Sequence, residues 1–260
     1  MSKQNRALLR ELVATDFKLR YQNSLLGYLW SLLKPLAIFT ILYIVFVRFL
    51  KLGRDIENFG VYLLLGIVLW GFFTEATSNG MQAIVSRGDL LRKIKFPRYI
   101  VVVSGTISAL VNLGFNLAVV ALFMVISGVG PRAEMLWIPF ILLELFIFSL
   151  AVAFFLGAAY VKYRDLSHIW EILLQAAFYA TPILYPLQLI PERAAKLLLL
   201  NPMAQIIQDA RYSLITPQTL TVHGFVQSPL RYVPFVLVLA AIVLASLYFR
   251  RSSKYFAENI

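Results

Sequence analysis

Six long apolar runs organise the chain: Leu26–Leu50, Gly60–Ala83, Tyr99–Ser127, Leu136–Val161, His168–Tyr185 and Tyr232–Phe249. A helix needs about 20 apolar residues to cross a hydrocarbon core of about 30 Å. Each run reaches or nearly reaches that length, so the pattern predicts an all-α polytopic membrane protein with six transmembrane helices. Residues 1–25 are patterned differently. Leu8, Leu9, Leu12, Val13 and Phe17 recur at helical spacing among Lys3, Arg6, Arg10, Lys18 and Arg20. That is an amphipathic helix lying in the membrane interface, without the unbroken apolar core of a signal peptide. Residues 26–260 form a single domain after it. Ahead of the last run, Ile190–Ile215 is apolar but interrupted, and its longest uncharged stretch, Leu197–Gln208, is too short to span. The Asn201-Pro202 pair breaks that stretch in the middle. Residues 187–215, entered at Pro186, are therefore expected to form two short helices that dip back into the outer leaflet.

Composition agrees. Of 260 residues, 60% are hydrophobic and 14% charged, and the mean hydropathy is +0.77; soluble domains run near 45–50% apolar and about 25% charged. The net charge of +11 would suggest nucleic acid on a soluble protein; here it reports cytoplasmic loops, and no nucleic-acid partner is expected. With the N-terminus inside, segments 1–25, 84–98, 162–168 and 250–260 hold 15 Lys/Arg in 58 residues, against 8 in 66 for 48–58, 128–136 and 186–231. The bias places both termini in the cytoplasm, with Arg48, Lys51 and Arg54 as a local exception. There is no cysteine, and two histidines offer little for a metal site, so none is expected.

Three cytoplasmic pieces carry information: the interfacial helix and two loops. In 86–98, Ser86 and Asp89 have capping-box spacing, Leu90, Leu91 and Ile94 make one apolar face, and Pro97 stops the helix. Arg87, Arg92, Lys93, Lys95 and Arg98 surround that face. An apolar face in a loop that only has to turn round points to docking on a partner. The 162–168 link, with Arg164 and Asp165, reads alone as an ordinary basic loop and is carried as a second cytoplasmic contact. Within the spans, Glu75 and Glu144 face either a wet interior or a partner helix, whereas Glu171 sits near a helix end. Ser104, Ser108 and Asn112 share one face of the third span, as packing residues do. Phe39, Tyr43 and Phe46 stripe the first span, and Phe178, Tyr179 and Tyr185 crowd the fifth. Such rings face lipid, or a lumen in which they stack on sugars. No HExxH, GxSxG or Walker A motif occurs, so no catalytic site is expected and ATP is not cradled by that route.

The runs DFKLRYQNSLLGYLWSLLKPL (Asp16–Leu36), LLLGIVLWGFFTEA (Leu63–Ala76) and NGMQAIVSRGDLLRKIKFPR (Asn79–Arg98) resemble the ABC-2 type permeases that export polysaccharides. YRDLSHIWEILLQAAFYATPILYPLQLIPE and LLLNPM (Tyr163–Glu192, Leu198–Met203) are similar to the last third of that family. The resemblance implies a homodimer in the bacterial plasma (inner) membrane, paired with two copies of a separate ATPase that binds ATP and Mg. Its substrate would be a lipid-linked polysaccharide such as O-antigen or teichoic acid. On this reading 86–98 is the coupling helix and 187–215 the outer gate, with Pro186, Asn201 and Pro202 at its turns. Phe39, Tyr43, Phe46, Glu75, Phe178, Tyr179 and Tyr185 are candidates for the polymer pathway. Arg20, Lys34 and Arg98 are candidates, by position, for the carrier phosphate. An ion-coupled carrier using Glu75 and Glu144, and an integral-membrane lipid or glycan enzyme, are the alternatives.

Overall fold

A computed structural model describes residues 3–21, 29–51, 53, 56–93, 96–226 and 229–256, without the side chains of Phe17, Leu19, Arg20, Tyr21 and Leu91. The described residues build helices α1 (Lys3–Tyr21), α2 (Leu29–Leu42, continued by a π-helical segment Tyr43–Phe49), α3 (Phe59–Ser86), α4 (Gly88–Lys93), α5 (Tyr99–Ile126) and α6 (Ile138–Lys162). They continue with α7 (Leu166–Ala180), α8 (Glu192–Leu199), α9 (Pro202–Leu214), α10 (Val222–Phe225) and α11 (Val233–Ser252). Among the described residues, five stretches are long and apolar enough to cross a membrane: Leu29–Phe49, Phe59–Ser86, Tyr99–Ile126, Ala133–Lys162 and Pro229–Tyr255.

The fifth apolar run departs from expectation. α7 has 15 residues, about 22 Å at 1.5 Å per residue, short of a bilayer core. The cause is local: Thr181 precedes Pro182 and takes extended angles (φ −84°, ψ 141°), the conformation a following proline imposes. Hydropathy alone cannot register that break.

α3 is the central helix, mostly apolar and buried along 78% of its most apolar window, against 6% for the α2 stretch. Its contact with α6 is close because small residues face each other there. A Cβ on Gly80 would lie 2.5 Å from that of Ala153, and one on Gly157 2.9 Å from the Gly80 carbonyl oxygen. Two polar groups of contacts fix the ends of the bundle. At one end Arg87, just after α3, pairs with Asp16 of α1 and donates to Val101 O and Ser104 Oγ of α5. Arg98 there lies over the Phe256 ring beyond α11. At the other end Arg211 of α9 bonds the first turn of α3 and the chain just after α7. α7 and the turn after it therefore return the chain to the end where α11 begins.

The 86–98 loop also differs from expectation. Ser86 is the last residue of α3 and its hydroxyl donates back to Ala83 O, so it does not cap α4. α4 is a six-residue helix with Asp89 in its first turn and Arg92 and Lys93 in its last, each sign favoured by the helix dipole. In 187–215, α8 and α9 meet at Asn201, which is extended (φ −73°, ψ 122°). Asn201 Oδ1 accepts from Met203 N at 3.0 Å, and Pro202 opens α9 where its missing N–H costs nothing. Replacing Asn201 by alanine should cost about 1 kcal/mol by losing this cap. Replacement by aspartate, which keeps the acceptor, should cost less, as thermal unfolding in detergent would report.

Candidate functional site

Helices α2, α3, α5 and α7 line an open cavity of about 1360 Å³ that follows α3 from Ile67 to Gln82. Its walls are of two kinds. Rings supply one: Trp30 from α2, Trp70 from α3, and Trp170, Phe178 and Tyr179 from α7. They interlock, with Trp70 edge-on to Phe178 at 6.1 Å and Phe178 edge-on to Tyr179 at 5.4 Å. Trp170 Nε1 donates to Thr77 Oγ1 at 3.2 Å, which orients its indole. Hydrogen-bonding groups supply the other kind: Ser78, Gln82 and Gln175, together with Glu75, Asn112 and Asn116. Asn112 Nδ2 donates to Glu75 Oε1 at 2.8 Å, and Asn116 Nδ2 to Asn112 O at 2.9 Å. The polar face of α5 thus holds the α3 carboxyl instead of leaving it to lipid. Lys34, His168 and Glu171 also line the space. Apolar faces beside ordered donors and acceptors suit a carbohydrate, whose C–H faces stack on rings while its hydroxyls bond.

The structure brings Lys34, Glu75, Phe178 and Tyr179 together here, but not the rest of the expected aromatic set. Phe39 is buried edge-on against Phe123 at 5.8 Å, and the Tyr43 ring fills the space over Gly60. Phe46 packs on the same core. Tyr185 lies beyond α7, where its hydroxyl donates to Tyr179 O and Ala180 O and so satisfies carbonyls freed at the helix end. Glu144 faces α9 and accepts from Gln205 Nε2 at 3.3 Å. Arg98 is outside the cavity lining, over the Phe256 ring. Asp89, Arg92 and Lys93 are exposed and Leu90 is half-buried. The expectations for Ile94, and for the side chains of Arg20 and Leu91, fall outside the described residues. Arg164 and Asp165 are exposed before α7, Pro186 is buried, and Asn201 and Pro202 form the α8–α9 joint.

Sequence reasoning missed Arg211. Its side chain is fully buried, lies 3.6 Å from the Tyr62 ring centroid and, among the described residues, bonds neutral acceptors: Tyr62 O, Pro182 O, Ile183 O and Gln208 Oε1. The available signal was an arginine inside an apolar stretch, which by itself marks a buried polar contact. Arg87, one of the basic residues around the expected apolar face of 86–98, instead ties α1 to α3 and α5.

Comparison with known proteins gives a consistent result. The ABC-2 type transporter family matches residues 7–215. Among curated relatives, the O-antigen export system permease protein RfbA of Myxococcus xanthus is 34% identical over 209 residues, covering 78% of each chain. RfbA of Klebsiella pneumoniae is 29% identical over 205 residues with the same coverage. The polysialic acid transport protein KpsM of Escherichia coli is 21% identical over 198 residues, covering 75% of this chain and 76% of its own. The family match takes in the first three crossing-length helices after α1, the helix α6, and the α7–α9 end of the bundle, and on that extent this chain belongs to the ABC-2 type transporter family.

Proposed function

We propose that the chain is the membrane subunit of an ATP-driven exporter of a lipid-linked polysaccharide, and that the cavity beside α3 is half of its pathway. The observation that carries this reading is the cavity itself, with rings on one wall and hydrogen-bonding groups on another, in a family whose curated relatives are named for O-antigen and polysialic acid export. Two copies assemble in the bacterial inner membrane. The α2 stretch, with Trp30, Leu33 and Ile41 exposed, offers an apolar edge at which a second copy closes the cavity. Each copy crosses six times, α7 and the 181–186 turn segment making the fifth crossing, and both termini lie in the cytoplasm, as the Lys/Arg bias favours. Two copies of a separate ATPase bind ATP and Mg and dock on α4, with Arg164 and Asp165 as a second contact. Lys34, with Arg20 and Arg98 nearer the cytoplasmic surface, offers the cations for the carrier phosphate. α8 and α9 close the outer end as re-entrant helices.

Blocking the cavity tests the proposal. Gly71 lines it, and a Cβ added there meets nothing within 4 Å. Gly71→Ala should leave export near wild type, whereas Gly71→Trp should lower surface polysaccharide at least about tenfold while the ATPase still co-purifies. Undiminished export by Gly71→Trp would place the pathway elsewhere.

A further inference from the structure

The two half-helices on either side of Asn201 belong to different parts of the molecule. α9 is built into the main core, where Met203, Ile206, Ile207 and Ala210 pack. Its side chains and one of its main-chain carbonyls are bonded outward in three directions. Arg211 Nε donates to Tyr62 O of α3 at 3.0 Å, and its terminal nitrogens donate to Pro182 O at 2.6 Å and Ile183 O at 2.7 Å, just after α7. Gln205 donates to Glu144 of α6 at 3.3 Å, and Arg132 donates to Tyr212 O at 3.0 Å. α8 has none of these ties. Ala195 and Leu199 pack in a separate small cluster with Leu187, Val222 and Val226. The one hydrogen bond that α8 side chains make among the described residues is internal, Lys196 Nζ to Glu192 Oε1 at 2.5 Å, and Leu197 is 70% exposed.

Resting on the reading of 187–215 as the outer closure, we propose that Arg211 is a positioning residue that fixes α9 in the wall, so that α8 with its small cluster is the part that moves, turning about Leu200–Asn201. A planar guanidinium bonds the carbonyls of two chain segments at once, which a lysine ammonium on a flexible stem does not reproduce. Drawing α9 out would strand that cation and the carbonyls it serves where water is scarce. Swinging α8 and its cluster strands no buried cation: it parts apolar contacts, those on Phe235 of α11 included, and one long hydrogen bond, Gln208 Nε2 to Leu220 O at 3.4 Å, as in the weakly tied units from which moving elements are drawn. The joint is suited to it: Pro202 contributes no N–H to a continuous ladder, and Asn201 caps α9 with its own side chain, so the start of α9 does not depend on α8.

The test uses spin-label pairs on the full chain with its ATPase partner in lipid, compared without nucleotide and with ATP trapped by vanadate. The reference label replaces Leu136, exposed just ahead of α6, and the second replaces Leu197 in α8 or Leu214 at the end of α9. The Leu197 distance should shift by more than about 3 Å, and the Leu214 distance by less than about 1 Å. In Arg211→Lys, the Leu214 distribution should broaden or shift. Equal shifts at both positions, or an Arg211→Lys protein with both distributions as in wild type, would overturn the inference. Static distances at both positions in an exporting preparation would instead overturn the closure reading beneath it.

Discussion

Replacing Arg211 by alanine should cost at least about 3 kcal/mol of stability, by leaving buried acceptors unpaired, and remove most folded protein from the membrane. Arg211 is 0% exposed and serves four oxygens, Tyr62 O, Pro182 O, Ile183 O and Gln208 Oε1. Three of these are main-chain carbonyls, two of them in the segment where α7 has ended, so no helix ladder takes them back. Each buried acceptor left unpaired costs about 1–3 kcal/mol. Gly66 adds a steric reason for the site: a Cβ there would lie 2.5 Å from an Arg211 terminal nitrogen, so the guanidinium is seated against bare backbone. Arg211→Lys keeps the charge but not the fork and should fall between alanine and wild type. Thermal unfolding of the purified protein in detergent measures all three. An alanine variant within about 1 kcal/mol of wild type would mean that α9 is held by its apolar face alone.

The second large effect lies at the opposite end of the bundle. Changing Leu90 and Leu91 in α4 to aspartate should abolish export while leaving insertion intact. Leu90 is half-buried on the molecule, between exposed Asp89 and exposed Arg92 and Lys93, and a carboxylate buried at a partner's surface without a counter-charge is costly. The expected loss in ATPase affinity is at least about 30-fold, read by co-purification. Arg87 and Asp16 make the same end a coupled unit, since their pair joins α1 to the residue that links α3 and α4. Normal ATPase recovery with the double variant would remove α4 as the docking element.

Much of the architecture was legible because the bilayer and the backbone impose it. Long apolar runs became long helices at α3, α5, α6 and α11, and the Asn-Pro joint divided α8 from α9 because proline cannot continue a ladder and asparagine can cap the next one. The end of α7 was illegible to hydropathy, since Pro182 stops a helix without adding a charge. Ser86 had capping-box spacing, yet α3 simply ran through it, because spacing does not say where the preceding helix stops. The rings of α2 and α7 looked alike in sequence; packing sent Phe39 to Phe123 and Phe178 to the cavity. Arg211 shows in the sequence only as a charge within an apolar stretch, with nothing to name its partners. Its acceptors at Pro182 and Tyr62 lie 29 and 149 residues away, beyond any local pattern.

The central claim is that polysaccharide moves along the cavity beside α3, and a photo-crosslink tests it directly. Tyr179 lines that cavity and is 60% exposed on the isolated chain. With benzoylphenylalanine at Tyr179, irradiation of cells that make the lipid-linked glycan and the partner ATPase should shift the protein into a glycan-bearing ladder. The ladder should be lost when the ATPase cannot hydrolyse ATP or when Gly71 is also changed to Trp. The same label placed at exposed Leu244, on α11, should give none. Glycan adducts at Leu244 but not at Tyr179 would contradict the account.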